Sequence, residues 1–125
     1  MFFDNVEAYL RAAGVQSMKG ENEWAINKRT VWGAYDEETF AFHLNEMNTL
    51  HQPFFTCVST MTTHEWFDAD VPQLFRGDAD NTNDNYRNTM HYADSCLFVY
   101  LEQAKKQAEL YGIPVCEFEA GNQFP

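Results

Sequence analysis

Thr60-Met61-Thr62-Thr63-His64-Glu65-Trp66-Phe67 brings hydroxyls, an imidazole, a carboxylate and an indole together in one short stretch. Groups of these types can hydrogen-bond an anion, exchange a proton at the imidazole, or offer a ring face to a ligand. They follow directly on Phe54 to Ser59, an apolar and β-branched run that reads as a buried strand. In α/β sheets, ligand-binding groups sit just beyond the carboxyl ends of strands. The position therefore predicts a rigid strand delivering a polar cluster to the rim of a cleft. A local reading competes with it: Thr and His at a strand exit also satisfy backbone groups, and Trp66 also fills core.

The elements around this stretch follow from periodicity and caps. Asp4 or Asn5 can cap a short helix, Val6 to Ala13, whose Val6, Tyr9, Leu10 and Ala13 keep helical spacing, and Gly14 ends it. Gln16 to Asn27 is polar apart from Trp24 and Ile26. Asp36 reads as an N-cap, with Glu37 and Glu38 in a first turn that the helix dipole favours. Phe40, Leu44 and Met47 give that helix one apolar stripe to about Thr49, and His51-Gln52-Pro53 forms its exit. Thr62 to Asn85 reads mostly as loop. The longest helix is expected from about Asn85 to Tyr111, with Tyr86, Met90, Ala93, Leu97, Leu101, Ala104 and Ala108 on one stripe, widened by Phe98 and Tyr100. Gly112 stops it, and Pro114 to Glu119 reads as a last strand. Helices alternating with buried strands predict an α/β layer in one domain spanning residues 1–125.

Composition narrows the function classes. A chain of 125 residues with 16% aromatic content can bury a core without staples. Its net charge of −11 repels phosphate backbones, which argues against nucleic acid as a partner, and it disfavours anionic membrane surfaces. An anion bound by so acidic a chain needs a local positive element. Cys57, Cys96 and Cys116 suit neither a disulfide framework nor a zinc site and read as free buried thiols. The N-terminus lacks the pattern of a signal peptide, and no run approaches the roughly 20 apolar residues of a membrane span. The chain as written is expected to be soluble, and its location is otherwise unassigned.

Several chemistries are absent as motifs. There is no phosphate loop, no Gly-x-Gly-x-x-Gly and no Gly-x-Ser-x-Gly elbow. The acidic run Gly77 to Asn85 fails the calcium-loop pattern: counting from Asp78, its sixth and twelfth positions are Asn83 and Thr89 rather than Gly and Glu. It reads as a solvated turn. His43 and Glu46 share a helix face without a second His to complete a metal motif. His91 is expected at the surface.

Four segments in order carry a resemblance. Pro53 to Phe67, "PFFTCVSTMTTHEWF", resembles the Pro-Phe-Phe, strand, Thr-His segment of the sulfatase family within the alkaline phosphatase superfamily, and is most similar to that of lipoteichoic-acid-synthase-like phosphoglycerol transferases. "FFDNVEAYLRAAG", "VWGAYDEETFAFHLNEM" and "YRNTMHYADSCLFVYLEQAKK" resemble the family's segments before and after it, so that the likeness covers most of Phe2 to Lys106. Trp66 stands near where family members often carry Pro.

The resemblance implies a partial alkaline-phosphatase-like sandwich, a few-stranded sheet packed with helices. It implies substrate-side residues of a metal-dependent site: His64 facing a sulfate or phosphate, Thr63 beside it, Trp32 near the headgroup pocket, and Arg29 as a further anion contact. An anionic headgroup, sulfate or phosphate is the implied ligand. Complete relatives hold a divalent metal such as manganese or calcium and are membrane-anchored or extracytoplasmic. Their early acidic ligand and nucleophile would lie upstream of this chain, and Gly121-Asn122 stands where the late Asp-His pair is expected. No catalytic residue, metal ligand or cofactor is therefore expected within the chain. The alternative is a non-catalytic binding or protein-interaction module on the same scaffold. Either way, an uncovered aromatic face and an open strand edge predict a homo-oligomer.

The missing ligand set has a direct consequence. A metal-activated nucleophile needs three or more converging protein ligands. The isolated chain should retain no stoichiometric manganese or zinc after dialysis and turn over neither aryl sulfates nor phosphodiesters. Metal analysis and an assay check this, and retained metal with turnover would refute it.

Overall fold

Asp36, Glu37 and Glu38 place three carboxylates on the first turn of the central helix, where unpaired backbone N–H groups favour negative charge. The computed structural model describes residues 5–67, 69–75 and 82–112. Its helices are α1 (Val6–Ala12), α2 (Asp36–Met47) and α3 (Thr82–Leu110), with a short 3-10 turn at Glu21–Glu23. Asp36 is the first residue of α2 rather than its cap. Tyr35 holds the cap position and makes no side-chain cap bond. The end of α2 falls at Met47, and Thr49 and Leu50 close turns back onto Glu46 and Met47.

The helix α1 matches its expected span to within one residue, and Gly14 follows it at a positive φ of 94°, a conformation that glycine adopts at little cost. None of its residues is buried, and an exposed Arg11–Glu7 pair at 2.8 Å spans one turn. The chain then runs through mostly exposed residues, with Met18 half-buried, until Trp24, whose indole stacks on Phe42 of α2 at 4.8 Å.

The core lies between α2 and α3. Phe40 and Leu44 are buried on α2, and Phe40 stacks on Tyr100 at 4.6 Å. Tyr35 meets Tyr92 edge to face at 6.1 Å and packs with Ala69 and Val71. The Tyr35 hydroxyl accepts the Asp70 N–H at 2.6 Å, which ties the returning loop to the start of α2. These pairings set α2 and α3 side by side and parallel.

The rotation of α3 differs from its sequence stripe. Tyr86, Met90, Leu97 and Leu101 are all more than two-fifths exposed. Asn88 and Thr89 are buried, and Tyr92, Ala93, Cys96, Tyr100, Ala104 and Ala108 are half-buried, so the inward face keeps the alanines of the stripe and Tyr100 while its larger apolar members turn outward. Specific polar bonds select this rotation. Asn88 Oδ1 accepts the N–H groups of Leu74 and Phe75, both at 2.9 Å, and its amide donates to Gln73 and to the Phe75 carbonyl. A buried amide satisfied on both sides holds its position strongly. Arg87 adds a cation over the Phe75 ring at 4.0 Å, and exposed His91 packs on the same ring. Burial pushes the ionisation of Tyr92 well above its usual range, with the neighbouring Cys96 thiol adding to the effect.

Residues 54–60, expected as a strand, carry no strand partner among the described residues, where the one β-bridge is Arg29 with Ala34. They are not helical either. Thr56, Val58 and Thr60 turn inward while Phe55, Cys57 and Ser59 face out, the period of two of an extended chain. Cys57 is therefore exposed rather than a buried thiol, and Cys96 is half-buried. Cys116, the expected strand Pro114 to Glu119 and most of the acidic run Gly77 to Asn85 lie outside the described residues.

His43 fastens this extended segment. Its Nδ1 lies 2.9 Å from the Tyr100 hydroxyl and its Nε2 2.8 Å from Thr56 Oγ1, so one ring joins α2, α3 and the segment. Farther along, Phe67 meets Tyr86 edge to face at 5.1 Å. The segment consequently runs opposite to both helices. Among the described residues no helix is long and apolar enough to cross a membrane.

Burial lowers the imidazole of His43 from its ordinary value of 6.5, because the charged form is poorly solvated there. The unfolded chain binds this proton at higher pH than the fold does. Above the ordinary value His43 adds no pH dependence; below it, as pH falls toward the lowered value, the fold loses stability. Thermal melting at about pH 7 and about pH 5 should show a steeper loss for the native chain than for His43→Gln, and equal slopes would refute this role.

Candidate functional site

The residues before α2 form a small hairpin. Tyr35 N–H donates to the Lys28 carbonyl at 3.1 Å and Thr30 N–H to the Gly33 carbonyl at 2.8 Å, bracketing the Arg29–Ala34 bridge. Thr30 is buried, and its hydroxyl accepts the Trp32 N–H at 3.1 Å. Trp32 thus sits at the hairpin tip. The base is held by Glu38 of α2, whose two carboxylate oxygens accept the N–H groups of Asn27 and Lys28, each at 2.8 Å. Both cations of the hairpin have partners: Lys28 pairs with Glu37 at 2.8 Å and Arg29 with Glu21 at 3.3 Å. The Glu37 bond raises the Lys28 amine above its ordinary value.

The second arm is the turn that follows the extended segment. His64 N–H donates to the Met61 carbonyl and Phe67 N–H to the His64 carbonyl, both at 3.0 Å. Thr62 is buried under this turn and bonded to Asp36. Met61 lies against the hairpin at Gly33, where an added Cβ would come within 3.3 Å of its side chain. A side chain at position 33 would push Met61 away by a few tenths of an ångström.

The two arms meet at Trp32 and His64. Their rings stack with centroids 4.0 Å apart and planes 25° from parallel. His64 Nδ1 lies 2.8 Å from the Glu65 carbonyl. A carbonyl only accepts, so Nδ1 donates to it, and Nε2 has no hydrogen-bond partner among the described residues. Trp32 is 39% exposed and His64 is exposed, so the pair is open to a ligand along one side. Thr63 is half-buried beside it. Trp66, 73% exposed, does not fill core.

Of the four residues singled out from sequence, the fold brings Trp32 and His64 into contact and sets Thr63 next to the latter. Arg29 shares the hairpin with Trp32, but its guanidinium is bound to Glu21. The sequence pattern marks Asp36 as a cap and gives Thr62 no mark of its own. The available signal was a hydroxyl-rich turn two residues from His64 and an acidic residue four after Trp32. His43 shares a helix face with Glu46 in the manner of a metal pair, whereas its ring is bonded to Tyr100 and Thr56.

A groove of about 330 Å³ lies at the other end of α2, lined in part by Met47, Leu50, Phe54, Ala104 and Tyr111. It contains none of these four residues.

The family model described as Sulfatase matches residues 2–113. The chain belongs to the sulfatase family. No curated protein and no solved structure matches it. The matched span holds the hairpin, α2, the His64 turn and α3 together, so the Trp32–His64 pair lies inside the sulfatase homology. The family implies a divalent metal. Among the described residues no three His, Cys, Asp or Glu side chains converge to hold one. Asp36 is unsuited to the task, since its Oδ1 is occupied by protein donors. The described residues therefore do not fit a metal; they set an imidazole, an indole and a hydroxyl side by side at the surface.

Proposed function

We propose that this chain forms the substrate side of a sulfatase-family site, with Trp32 and His64 facing the anionic group of a sulfate or phosphoglycerol ester. The observation that carries the reading is the Trp32–His64 stack, with Nδ1 held by the Glu65 carbonyl and Nε2 without a partner among the described residues. An imidazolium there donates from Nε2 to an anion oxygen, and the indole gives a sugar or glycerol moiety an apolar face. In a chain of net charge −11 such a local donor is what an anion requires. Thr63 adds a hydroxyl. Arg29 is a second contact once the ligand displaces Glu21, a small cost for an exposed ion pair. In this reading residues 54–60 are one strand of a few-stranded, alkaline-phosphatase-like sheet, and their direction opposite to α2 and α3 agrees with a parallel α/β layer. Nucleophile and metal ligands come from outside the residues described, and the isolated chain binds without turnover.

Titrating inorganic phosphate, sulfate and glycerol phosphate into the chain tests this by the shifts of the His64 ring signals in NMR spectra. Saturable binding is expected, with His64→Ala and Trp32→Ala each weakening it about tenfold, the loss of one charge-assisted bond or one ring contact. Equal binding by His64→Ala would overturn the reading.

A second reading is favoured by the outward face of α3. Tyr86, Met90, Leu97, Phe98 and Leu101 leave an apolar strip without cover among the described residues. On this reading the chain is an interaction module that pairs with a second copy, its acidic surface opposing indiscriminate clumping while permitting one closed contact. Sedimentation at micromolar concentration should then report at least a dimer, and Leu97→Glu should return it to monomer. A monomeric native chain would remove this reading.

A further inference from the structure

We propose that Asp36 and Thr62 are positioning residues, whose buried bond sets the register between hairpin and turn and thereby holds His64 stacked on Trp32. The proposal rests on the reading of Trp32 and His64 as the ligand-facing pair and adds what aligns them. Both side chains are sealed, at 1% exposure each. Asp36 Oδ1 accepts three donors: the Thr62 hydroxyl at 2.7 Å, the Thr62 N–H at 2.9 Å and the Met61 N–H at 3.2 Å. In return the Thr62 hydroxyl accepts the Asp36 N–H at 2.9 Å. Thr62 thus caps α2 from 26 residues away, where Tyr35 makes no side-chain cap of its own.

The bond is reciprocal, and each half fails without the other. Without the hydroxyl, Oδ1 loses a donor and a helix N–H loses its acceptor, both in the dry interior. Without the carboxylate, two adjacent backbone N–H groups of the turn lose their acceptor. No cation lies within ion-pair distance of Asp36 among the described residues, so the donors and the N-terminal end of α2 offset its burial. The chain paths from this bond to the stacked rings are short: four residues back to Trp32 and two forward to His64. Met61, the other donor residue, is the one pressed on Gly33 next to Trp32. A slip at Asp36–Thr62 is therefore carried straight to the ring pair.

The stack supplies a readout that a purely structural cap would not move. An imidazole lying on an indole has its ring proton signals displaced upfield by the ring current. In the full chain without ligand, the displaced His64 signals should vanish in Trp32→Leu, which assigns them. Thr62→Val, similar in shape but lacking the hydroxyl, should lose at least half of the displacement while the His43 signals and far-ultraviolet circular dichroism keep native values. Thr62→Ser, which keeps the hydroxyl, should retain it. Should Thr62→Val not fold, Asp36→Asn, which weakens the acceptor and keeps its shape, should show partial loss. Full displacement in a folded Thr62→Val or Asp36→Asn, or its loss in Thr62→Ser, would overturn the proposal. A native chain that shows the displacement but no saturable phosphate shift would overturn the ligand reading alone.

Discussion

A carboxylate removed from water must find donors, and Asp36 finds them in one turn of chain far along the sequence. The main-chain N–H groups of Met61 and Thr62 and the Thr62 hydroxyl converge on one oxygen at the head of α2. The hairpin that carries Trp32 leads directly into α2, and the turn that carries His64 leads directly out of Thr62. Joining those two points leaves the rings little choice but to meet. Glu38, one turn along, secures the base of the hairpin from the same helix.

α2 acts as a rod with fixings at different heights. Asp36 holds Thr62, and His43, about 10 Å farther along the helix axis, holds Thr56. Among the described residues the extended segment is thereby tied by two side chains rather than by ladder bonds, and it keeps an in-out alternation along its length. The same imidazole reaches Tyr100, so the orientation of α3 and that of the segment depend on one ring. Placing a half-buried, titratable group at that junction makes the middle of the fold sensitive to protonation, while the head of α2 is closed by a hydroxyl and a carboxylate.

The rotation of α3 shows how a few polar bonds can outweigh an apolar pattern. Burying the stripe of Met90, Leu97 and Leu101 would gain about 25 cal/mol per Å² covered. Turning it inward would also pull Asn88 from the loop 73–75 and Tyr100 from His43. Those breaks strand buried donors and acceptors, at about 1–3 kcal/mol for each group. The observed face satisfies them and leaves the larger apolar residues of the stripe, Met90, Leu97 and Leu101, available for an additional surface.

Sequence alone determined the identity of the local elements. The 3.6-residue spacing and first-turn carboxylates marked α2, Gly14 and Gly112 marked two helix ends, and the apolar, β-branched make-up of 54–60 marked a strand, which the structure keeps as extended chain without a strand partner among the described residues. The ordered segments around Trp32 and His64 also carried the sulfatase likeness, which the family match over residues 2–113 supports. Tertiary structure decided which side of α3 faces inward, that Cys57 faces out, that Arg29 binds Glu21, and that Trp32 lies on His64. Each of these depends on a partner distant in sequence: residue 88 with 73–75, 43 with 56 and 100, 36 with 62. Periodicity shows which residues can share a face. It does not contain the donors on another element that decide whether the face is buried, and for Asp36 those donors lie 25 and 26 residues away.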